Sequence, residues 1–383
     1  MAFALRLISA TPLPNAQCPM PNAQCPFEKN AMKLFRFVCL AGLVALLTIV
    51  LNIVLNIVWP GFSLPSLSSP PPVAGQAIDS SCDRYINRSS RNCPNLEPEF
   101  QEVGTYTSTI GSNGDKTDIY YPISSQPESE SFPIALLLQG FNVDKSYYSQ
   151  FATEVARYGF VVVVPNHFTS ARTGGRGRPE LFARVNQVTE VLADLKRETN
   201  NANSPIATLL DTQKLVLIGH SHGGFMGMDA IRGACDLPFC EGTYRRPTEL
   251  KAGVFFAADL WEDGEYLKIN NSGIAVGLIA GSRDSLISIP SITKTYRNIQ
   301  TPPKVYITVM GANHYGINDL DNPPGSPRER NRPTLNQELA VETIARWSAL
   351  FLRAHALDDR AAWDYVYDYG RFQDRRVRVI SQD

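Results

Sequence analysis

The chain has 383 residues, which is enough for one large domain with appended segments. Its formal net charge is −1, so there is no electrostatic basis for binding nucleic acid. Hydrophobic residues make up 44% of the sequence, which is typical of a protein with a packed core.

Residues 1–31 form a low-complexity segment in which Pro-Asn-Ala-Gln-Cys-Pro occurs at positions 14–19 and again at 21–26. The repeat has neither helical nor strand periodicity. It resembles the translated short DNA repeats of photosynthetic bacteria. We therefore expect translation to start at Met32, which would leave residues 1–31 untranslated.

Residues 32–59 have the pattern of a transmembrane signal anchor. Lys33 and Arg36 precede an apolar run over 37–59, and about 20 apolar residues span a bilayer. Basic residues before the run predict a cytoplasmic N-terminus and an exported domain, in the periplasm or an equivalent lumen. The alternative is a signal peptide whose cleavage releases a secreted protein.

Residues 60–100 are predicted to be a Pro- and Ser-rich linker followed by a short polar segment. Cys82 and Cys93 lie in that segment, and Cys235 and Cys240 form a second close pair. An oxidising compartment would permit two local disulfides. A metal site fits less well, because no histidine adjoins either pair, and four free thiols are the remaining alternative.

Residues 101–356 alternate strands and helices, which predicts an α/β domain. The predicted strands are 105–110, 118–121, 132–138, 160–164, 215–218, 252–257, 274–279 and 305–309. The predicted helices are 148–158, 181–195, a helix after the 215–218 strand, and 336–352. Continuous Val, Ile and Leu runs favour a mostly parallel central sheet with helices on both faces. The tail 357–383 is charged and aromatic and receives no predicted role.

The run Leu215–Ile218 ends in Gly-His-Ser-His-Gly, with Ser221 between Gly219 and Gly223. A serine in Gly-x-Ser-x-Gly after a buried strand occupies a sharp strand-to-helix turn that exposes its hydroxyl. The alternative is a Gly-rich turn with an incidental serine. The placement favours Ser221 as a nucleophile.

A serine nucleophile needs a base, and the base needs an orienting acid. In this arrangement the acid and then the histidine follow the serine along the chain. Of the later histidines, His314 lies in a glycine-bounded loop directly after the last predicted strand, so we predict it to be the base. Asp284 is the favoured acid and Asp259 the alternative, since both follow predicted strands.

Two backbone amides should stabilise the oxyanion of the tetrahedral intermediate. We predict those of His222, directly after the nucleophile, and Phe141, after the first long buried strand. Gly140 is predicted to let the backbone approach the substrate.

With these residues in place, residues 100–355 resemble the α/β-hydrolase superfamily. Within it they are most similar to the group of chlorophyllases, cutinase-like polyesterases and platelet-activating-factor acetylhydrolases. Gln139-Gly-Phe, the Tyr147-Tyr148 pair and the run 159–165 are similar to the chlorophyllase opening, although Gln139 stands where histidine is common. His222 replaces the arginine usual in the chlorophyllase serine motif.

The resemblance also bears on the acid and the substrate. The spacing from Asp284 to His314 is polyesterase-like, whereas chlorophyllases and the acetylhydrolases tend to place the acid nearer Asp259. Trp261 lies where polyesterases carry a substrate-stacking tryptophan, and Tyr315 also flanks the predicted site.

The predicted function is a serine esterase of lipase type that acts on an apolar or lipid-like ester, with chlorophyllase-like and polyester-cleaving activities as alternatives. Acyl transfer and a non-catalytic binding domain stay open. We expect no cofactor, no metal, no nucleic acid and a monomer held to a membrane by its anchor. The basic segment 166–179 is a lid loop, a contact for an anionic head group or a solvated loop.

Overall fold

The computed structural model describes residues 96–111, 114–124, 130–169 and 180–383. Several predictions therefore lie outside the described residues: the repeat, the anchor, the linker, the Cys82–Cys93 pair and positions 170–179 of the basic segment. Among the described residues no helix is both long and apolar enough to cross a membrane.

The chain forms strands and helices in alternation. The strands are β1 (Val103–Ile110), β2 (Asp115–Pro122), β3 (Phe132–Leu138), β4 (Val161–Pro165), β5 (Phe168–Thr169), β6 (Glu180–Leu181), β7 (Leu210–His220), β8 (Leu250–Phe256), β9 (Trp261–Glu262), β10 (Glu265–Tyr266), β11 (Ala275–Gly281), β12 (Lys304–Val309) and β13 (Val377–Gln382). The helices are α1 (Ser149–Arg157), α2 (Gln187–Glu198), α3 (His222–Arg232), α4 (Ile289–Asn298), α5 (Gln337–Ala356), α6 (Arg360–Asp364) and α7 (Gly370–Gln373). A 3₁₀ turn, Lys145–Tyr148, precedes α1, and a π-helical turn, Tyr365–Tyr369, joins α6 to α7.

Nine of these strands form one sheet in the order β1-β2-β4-β3-β7-β8-β11-β12-β13. From β4 to β12 every neighbouring pair is parallel, whereas the outer strands pair antiparallel. This confirms the predicted, mostly parallel sheet. Because the central strands run in the same direction, their carboxyl ends meet at one edge, where open α/β sheets place their ligands.

The central strands are apolar on both faces because helices cover both. In β3, Ala135 and Leu137 join one core cluster, whereas Ile134, Leu136 and Leu138 join the other. Helices α1 and α5 pack in the first cluster, and α2, α3 and α4 in the second. This arrangement buries the Val, Ile and Leu runs that predicted the parallel sheet.

The helix predicted to start at residue 181 begins only at Gln187. Residues before it form β6, in which Leu181 pairs with Phe168. The Leu181 amide donates to the Asn142 side chain, and its carbonyl accepts the Asn142 amide. These bonds hold the chain extended beside the loop that follows β3.

Residues 357–383, the tail without a predicted role, pack against the sheet and α5. The last strand of the tail, β13, pairs antiparallel with β12, and Arg346 of α5 binds Tyr365 and Asp374 within the tail. Burial alone would raise the pKa of Asp374, but the hydrogen bond from Arg346 and others outweigh it and lower that pKa. A buried ion pair satisfied in this way fixes the segment against α5.

Candidate active site

Ser221 lies between the central strand β7 and helix α3 in a strained backbone conformation, with φ of 51° and ψ of −120°. Such values are uncommon for a residue with a side chain and persist only where the surroundings hold them. Its amide donates to the Phe256 carbonyl at 2.9 Å, which fixes the turn to the neighbouring strand β8.

The glycines around Ser221 are required by close backbone approaches. A Cβ at Gly223 would lie 2.0 Å from the Leu138 carbonyl oxygen. One at Gly219 would lie 2.6 Å from the Gly224 Cα. Real Cβ contacts of this length do not occur, so the sharp turn depends on glycine at both positions.

Ser221, His314 and Asp284 lie in one hydrogen-bonded row. The His314 Nε2 is 2.9 Å from the Ser221 Oγ, and its Nδ1 is 2.9 Å from the Asp284 Oδ2. The histidine is 2% exposed and the aspartate 9%. Asp284 Oδ1 also accepts the amides of Leu286 and Ile287, both at 2.8 Å, so the carboxylate is held in place.

The strand order explains why Asp284 rather than Asp259 contacts His314. Asp284 follows β11, which pairs with the β12 that precedes His314, whereas Asp259 follows β8, one strand further away. A Cβ at Gly281 would lie 2.6 Å from the Ala312 carbonyl oxygen, so these two loops are in direct contact. Asp259 is half-buried, burial raises its pKa, and Ser291 donates a hydrogen bond to it.

Glu329 joins the two loops and was not predicted from the sequence. Its carboxylate accepts the Ser285 amide at 2.9 Å, the Asn331 amide at 2.6 Å and the His314 amide at 3.4 Å, and it also binds the Ser285 hydroxyl. Burial alone would raise the pKa of Glu329, but these hydrogen bonds outweigh it and lower that pKa. Its surroundings, in the polar segment 318–333, gave no motif that could have identified it.

The two amides predicted for the oxyanion hole, those of Phe141 and His222, lie at the carboxyl edge of the sheet. Within the described residues, neither the Phe141 amide nor the His222 amide donates a hydrogen bond. Both follow parallel strands that pair with each other, β3 and β7, at their carboxyl ends. Two free donors at this edge can serve an oxygen that gains negative charge.

Gly140 has a packing reason for its small size. A Cβ there would lie 2.7 Å from the Nδ1 of His220, the buried residue before the nucleophile. The predicted approach of this backbone to a substrate stays a prediction. His220 stands within the serine motif, but no role was predicted for it from the sequence.

Aromatic side chains form a wall around the residue after the nucleophile. The His222 ring stacks on Phe182 with centroids 4.0 Å apart, and Phe182 also contacts Phe141 and Phe239. Burial lowers the pKa of His222 to about 4, despite a 3.0 Å hydrogen bond to the Ala183 carbonyl, so the ring is neutral at pH 7. We call His222, Phe141, Phe182 and Phe239 the aromatic wall.

The loop that carries Phe239 is closed by a disulfide between Cys235 and Cys240. This confirms one of the two predicted disulfides. Phe239 also contacts Phe225, which is partly buried against the core as its helical position suggests.

Two residues predicted to contact substrate have different surroundings. Trp261 is 51% exposed at the start of the β9–β10 hairpin, where a ligand can reach it. Tyr315 is 1% exposed and its hydroxyl donates to the Pro327 carbonyl. Its ring packs on His314 and His220, so the structure corrects the prediction: Tyr315 lies in the core beside His314 and not on a surface that a substrate can reach.

Within the described ranges, no group of three or more His, Cys, Asp or Glu side chains could hold a metal ion.

Residues 108–235 match the sequence model of the chlorophyllase family. Chlorophyllase-2 of Arabidopsis thaliana is 26% identical over 102 residues, which cover 27% of this chain and 30% of that protein. The chain thus aligns with less than a third of the relative's length. Together with the sheet, the matches are consistent with membership of the α/β-hydrolase superfamily. The family match includes Ser221 and Phe141 and ends before Asp284 and His314.

Proposed function

We propose that the protein is a serine esterase that works through Ser221, His314 and Asp284. The observation that carries the proposal is the row of two 2.9 Å hydrogen bonds that ends at a serine on a strained turn. A serine hydroxyl becomes nucleophilic when an adjacent imidazole can take its proton, and the carboxylate keeps the imidazole in the required tautomer.

The reaction has two halves. Ser221 Oγ attacks the ester carbonyl while His314 Nε2 takes its proton, and the oxyanion accepts hydrogen bonds from the Phe141 and His222 amides. When the tetrahedral intermediate collapses, the C–O bond to the alcohol breaks and His314 returns the proton to the leaving oxygen. Water then attacks the acyl-enzyme, with His314 again as base, and the carboxylic acid leaves.

The aromatic wall supports an apolar substrate. Two of its rings, those of Phe141 and His222, belong to the residues whose amides are proposed to bind the oxyanion, and aromatic side chains contact apolar and planar groups well. The neutral His222 ring adds no charge there. Chlorophyll-type and polyester substrates both have such groups. The match to the chlorophyllase family favours the first, and the exposed Trp261 favours the second.

The test is hydrolysis of p-nitrophenyl esters of increasing chain length by the full chain in detergent, beside Ser221→Ala. Ser348→Ala, a buried serine in α5, is the matched control. We expect Ser221→Ala to lower kcat at least ~10⁴-fold and the control to have little effect. A chlorophyll and a polyester oligomer in the same panel choose between the finer substrates.

A non-catalytic binding domain predicts a different result. A folded wild-type protein that turns over no ester and is not labelled by a fluorophosphonate at Ser221 would support binding alone. Product analysis with an added alcohol separates hydrolysis from acyl transfer, because transfer yields a new ester.

We also propose that the apolar run 37–59 holds the domain at a membrane and that the domain is exported. The Cys235–Cys240 disulfide supports an oxidising compartment. Protease protection of the full chain in spheroplasts tests it: an exported domain is cleaved from outside, and a domain that is cleaved only after lysis contradicts export.

A further inference from the structure

His220 is a fully buried histidine that the proposed reaction does not use. It is the last residue of β7, directly before the nucleophile, and is 0% exposed. Its Nδ1 lies 2.9 Å from the Tyr148 hydroxyl, and its Nε2 lies 3.0 Å from the His314 carbonyl oxygen. Both ring nitrogens are therefore engaged with parts of the candidate site.

For a neutral His220 ring the hydrogen bonds have one consistent direction, because the His314 carbonyl can only accept. The Gly140 amide donates to the Tyr148 hydroxyl oxygen at 2.9 Å, so the hydroxyl proton is left for His220 Nδ1. Nδ1 then accepts, and Nε2 carries the proton that it donates to the His314 carbonyl, which can only accept. Burial also lowers the pKa of His220 well below its usual range, in agreement with this neutral tautomer.

The resulting chain runs from the Gly140 amide through Tyr148 and His220 to the His314 carbonyl. At one end this chain of hydrogen bonds holds Gly140. Gly140 directly precedes Phe141, and the Phe141 amide is proposed to bind the oxyanion. At the other end the chain of hydrogen bonds holds the backbone of the proposed base. Buried networks in which every member is satisfied rigidify their surroundings.

We propose that Tyr148 and His220 are positioning residues. They fix the loop after β3, which contains Phe141, relative to the loop after β12, which contains His314. This inference rests on the proposed esterase function. Neither side chain touches the reacting atoms. Their effect is on geometry that matters in the transition state, and displacement of a donor by about 1 Å has a large effect on rate.

The first test is Tyr148→Phe, which removes the hydroxyl and keeps the ring. Tyr158→Phe is the matched control, because Tyr158 lies at the other end of α1, is 1% exposed and has a hydroxyl that donates one hydrogen bond, in its case to the Leu96 carbonyl. We expect kcat on a p-nitrophenyl ester to fall about 10-fold in Tyr148→Phe with little change in KM, since an outright loss of an oxyanion donor costs ~10²–10³-fold. The affinity for an alkyl boronic acid, which forms a tetrahedral adduct on the serine, should fall by a similar factor.

The second test separates the two hydrogen bonds of the His220 ring, the one at Nδ1 to Tyr148 and the one at Nε2 to the His314 carbonyl. His220→Asn places a side-chain oxygen near the Nδ1 position and can keep the bond to Tyr148, whereas His220→Gln places an amide near Nε2 and can keep the bond to His314. Adding Tyr148→Phe should reduce kcat further in the Asn variant and much less in the Gln variant, because only the first retains that bond.

Equal kcat values for Tyr148→Phe, Tyr158→Phe and the wild type, with an unchanged melting temperature, would overturn the inference and leave the esterase assignment intact. A kcat loss in Tyr158→Phe as large as in Tyr148→Phe would also overturn it, since the effect would then be structural. A folded wild type without any ester turnover would overturn the proposed function and this inference with it.

Discussion

The Oδ2 of Asp284 lies 2.9 Å from the Nδ1 of His314, and both side chains are withdrawn from solvent. The pair orients the histidine toward Ser221. We predict that Asp284→Asn lowers kcat by about 10³–10⁴-fold, because the amide favours the wrong imidazole tautomer.

Asp259→Asn is the control for this change, because Asp259 follows the neighbouring strand and bonds Ser291 instead. Steady-state kinetics on one p-nitrophenyl ester should give a loss in kcat of less than about 10-fold for it. The reverse order of the two effects would make Asp259 the acid.

Glu329→Gln should reduce both stability and turnover. Each carboxylate oxygen accepts two hydrogen bonds, from Ser285, Asn331 and His314, and the NH₂ group that replaces one of these oxygens in glutamine cannot accept. We expect a loss of about 1–3 kcal/mol in the free energy of unfolding and a decrease of kcat of about 10-fold. Urea unfolding and kinetics measure the two effects, with the capping residue Asp359, replaced by Asn, as a control that affects stability alone.

The contribution of Glu329 to the free energy of unfolding should decrease as the pH falls. Its pKa is lower in the folded state than in the unfolded chain, so its contribution to stability is present above the unfolded pKa and is lost as pH falls through the folded pKa. Wild type and Glu329→Gln should therefore converge in stability under acid conditions. A difference that stays constant down to pH 2 would contradict this account.

Replacing Cys235 and Cys240 together by serine should loosen the aromatic wall. The disulfide closes the loop that carries Phe239, and the chain-entropy model gives about 2 kcal/mol for a loop this short. We expect KM for apolar esters to rise several-fold while kcat for a short acetyl ester changes little. Equal KM values for oxidised wild type and the double variant would show that the loop does not shape the site.

His355 provides a test of acid sensitivity away from the candidate site. Burial lowers its pKa to about 4, and its Nε2 contacts the Tyr367 hydroxyl at 2.8 Å. As pH falls below about 6.5 the unfolded state binds a proton first, so the free energy of unfolding should fall until about pH 4 and then level off.

Replacing His355 by Gln should remove up to about 1.4 kcal/mol per pH unit of this slope and leave ester turnover unchanged. Chemical denaturation between pH 7 and pH 4 measures it. An identical slope in wild type and variant would assign the acid sensitivity to other groups.

The sheet could be predicted from the sequence because each central strand is a continuous apolar run that ends in glycine or a polar loop. The same runs placed Ser221, Asp284 and His314 after strands of one parallel sheet, so all three lie at its carboxyl edge. The choice between Asp284 and Asp259 needed the strand order, which only the structure supplies.

Other features depend on contacts between distant segments and leave no local pattern. Tyr148 meets His220 across 72 positions, and Glu329 lies 44 positions from Ser285. The side chains of β13 alternate between buried and exposed at the sheet edge, and the strand follows a charged segment. It lacks the continuous apolar run that identified the central strands, so it was not predicted as a strand. Tyr315 adjoins the base along the chain, yet its buried ring points into the core.

The strand β13 has a consequence for how the domain is completed during synthesis. It pairs along the whole of β12. The last residue of β12, Val309, pairs with Val377 and precedes His314 along the chain by a few positions. Until residues 377–382 emerge, β12 has an open edge with unpaired backbone groups, and such an edge can pair with another chain. A chain that stops short of these residues would therefore have all three side chains of the proposed triad but lack the outer support of the strand that leads to the histidine. Aggregation during expression is the expected result of such a truncation.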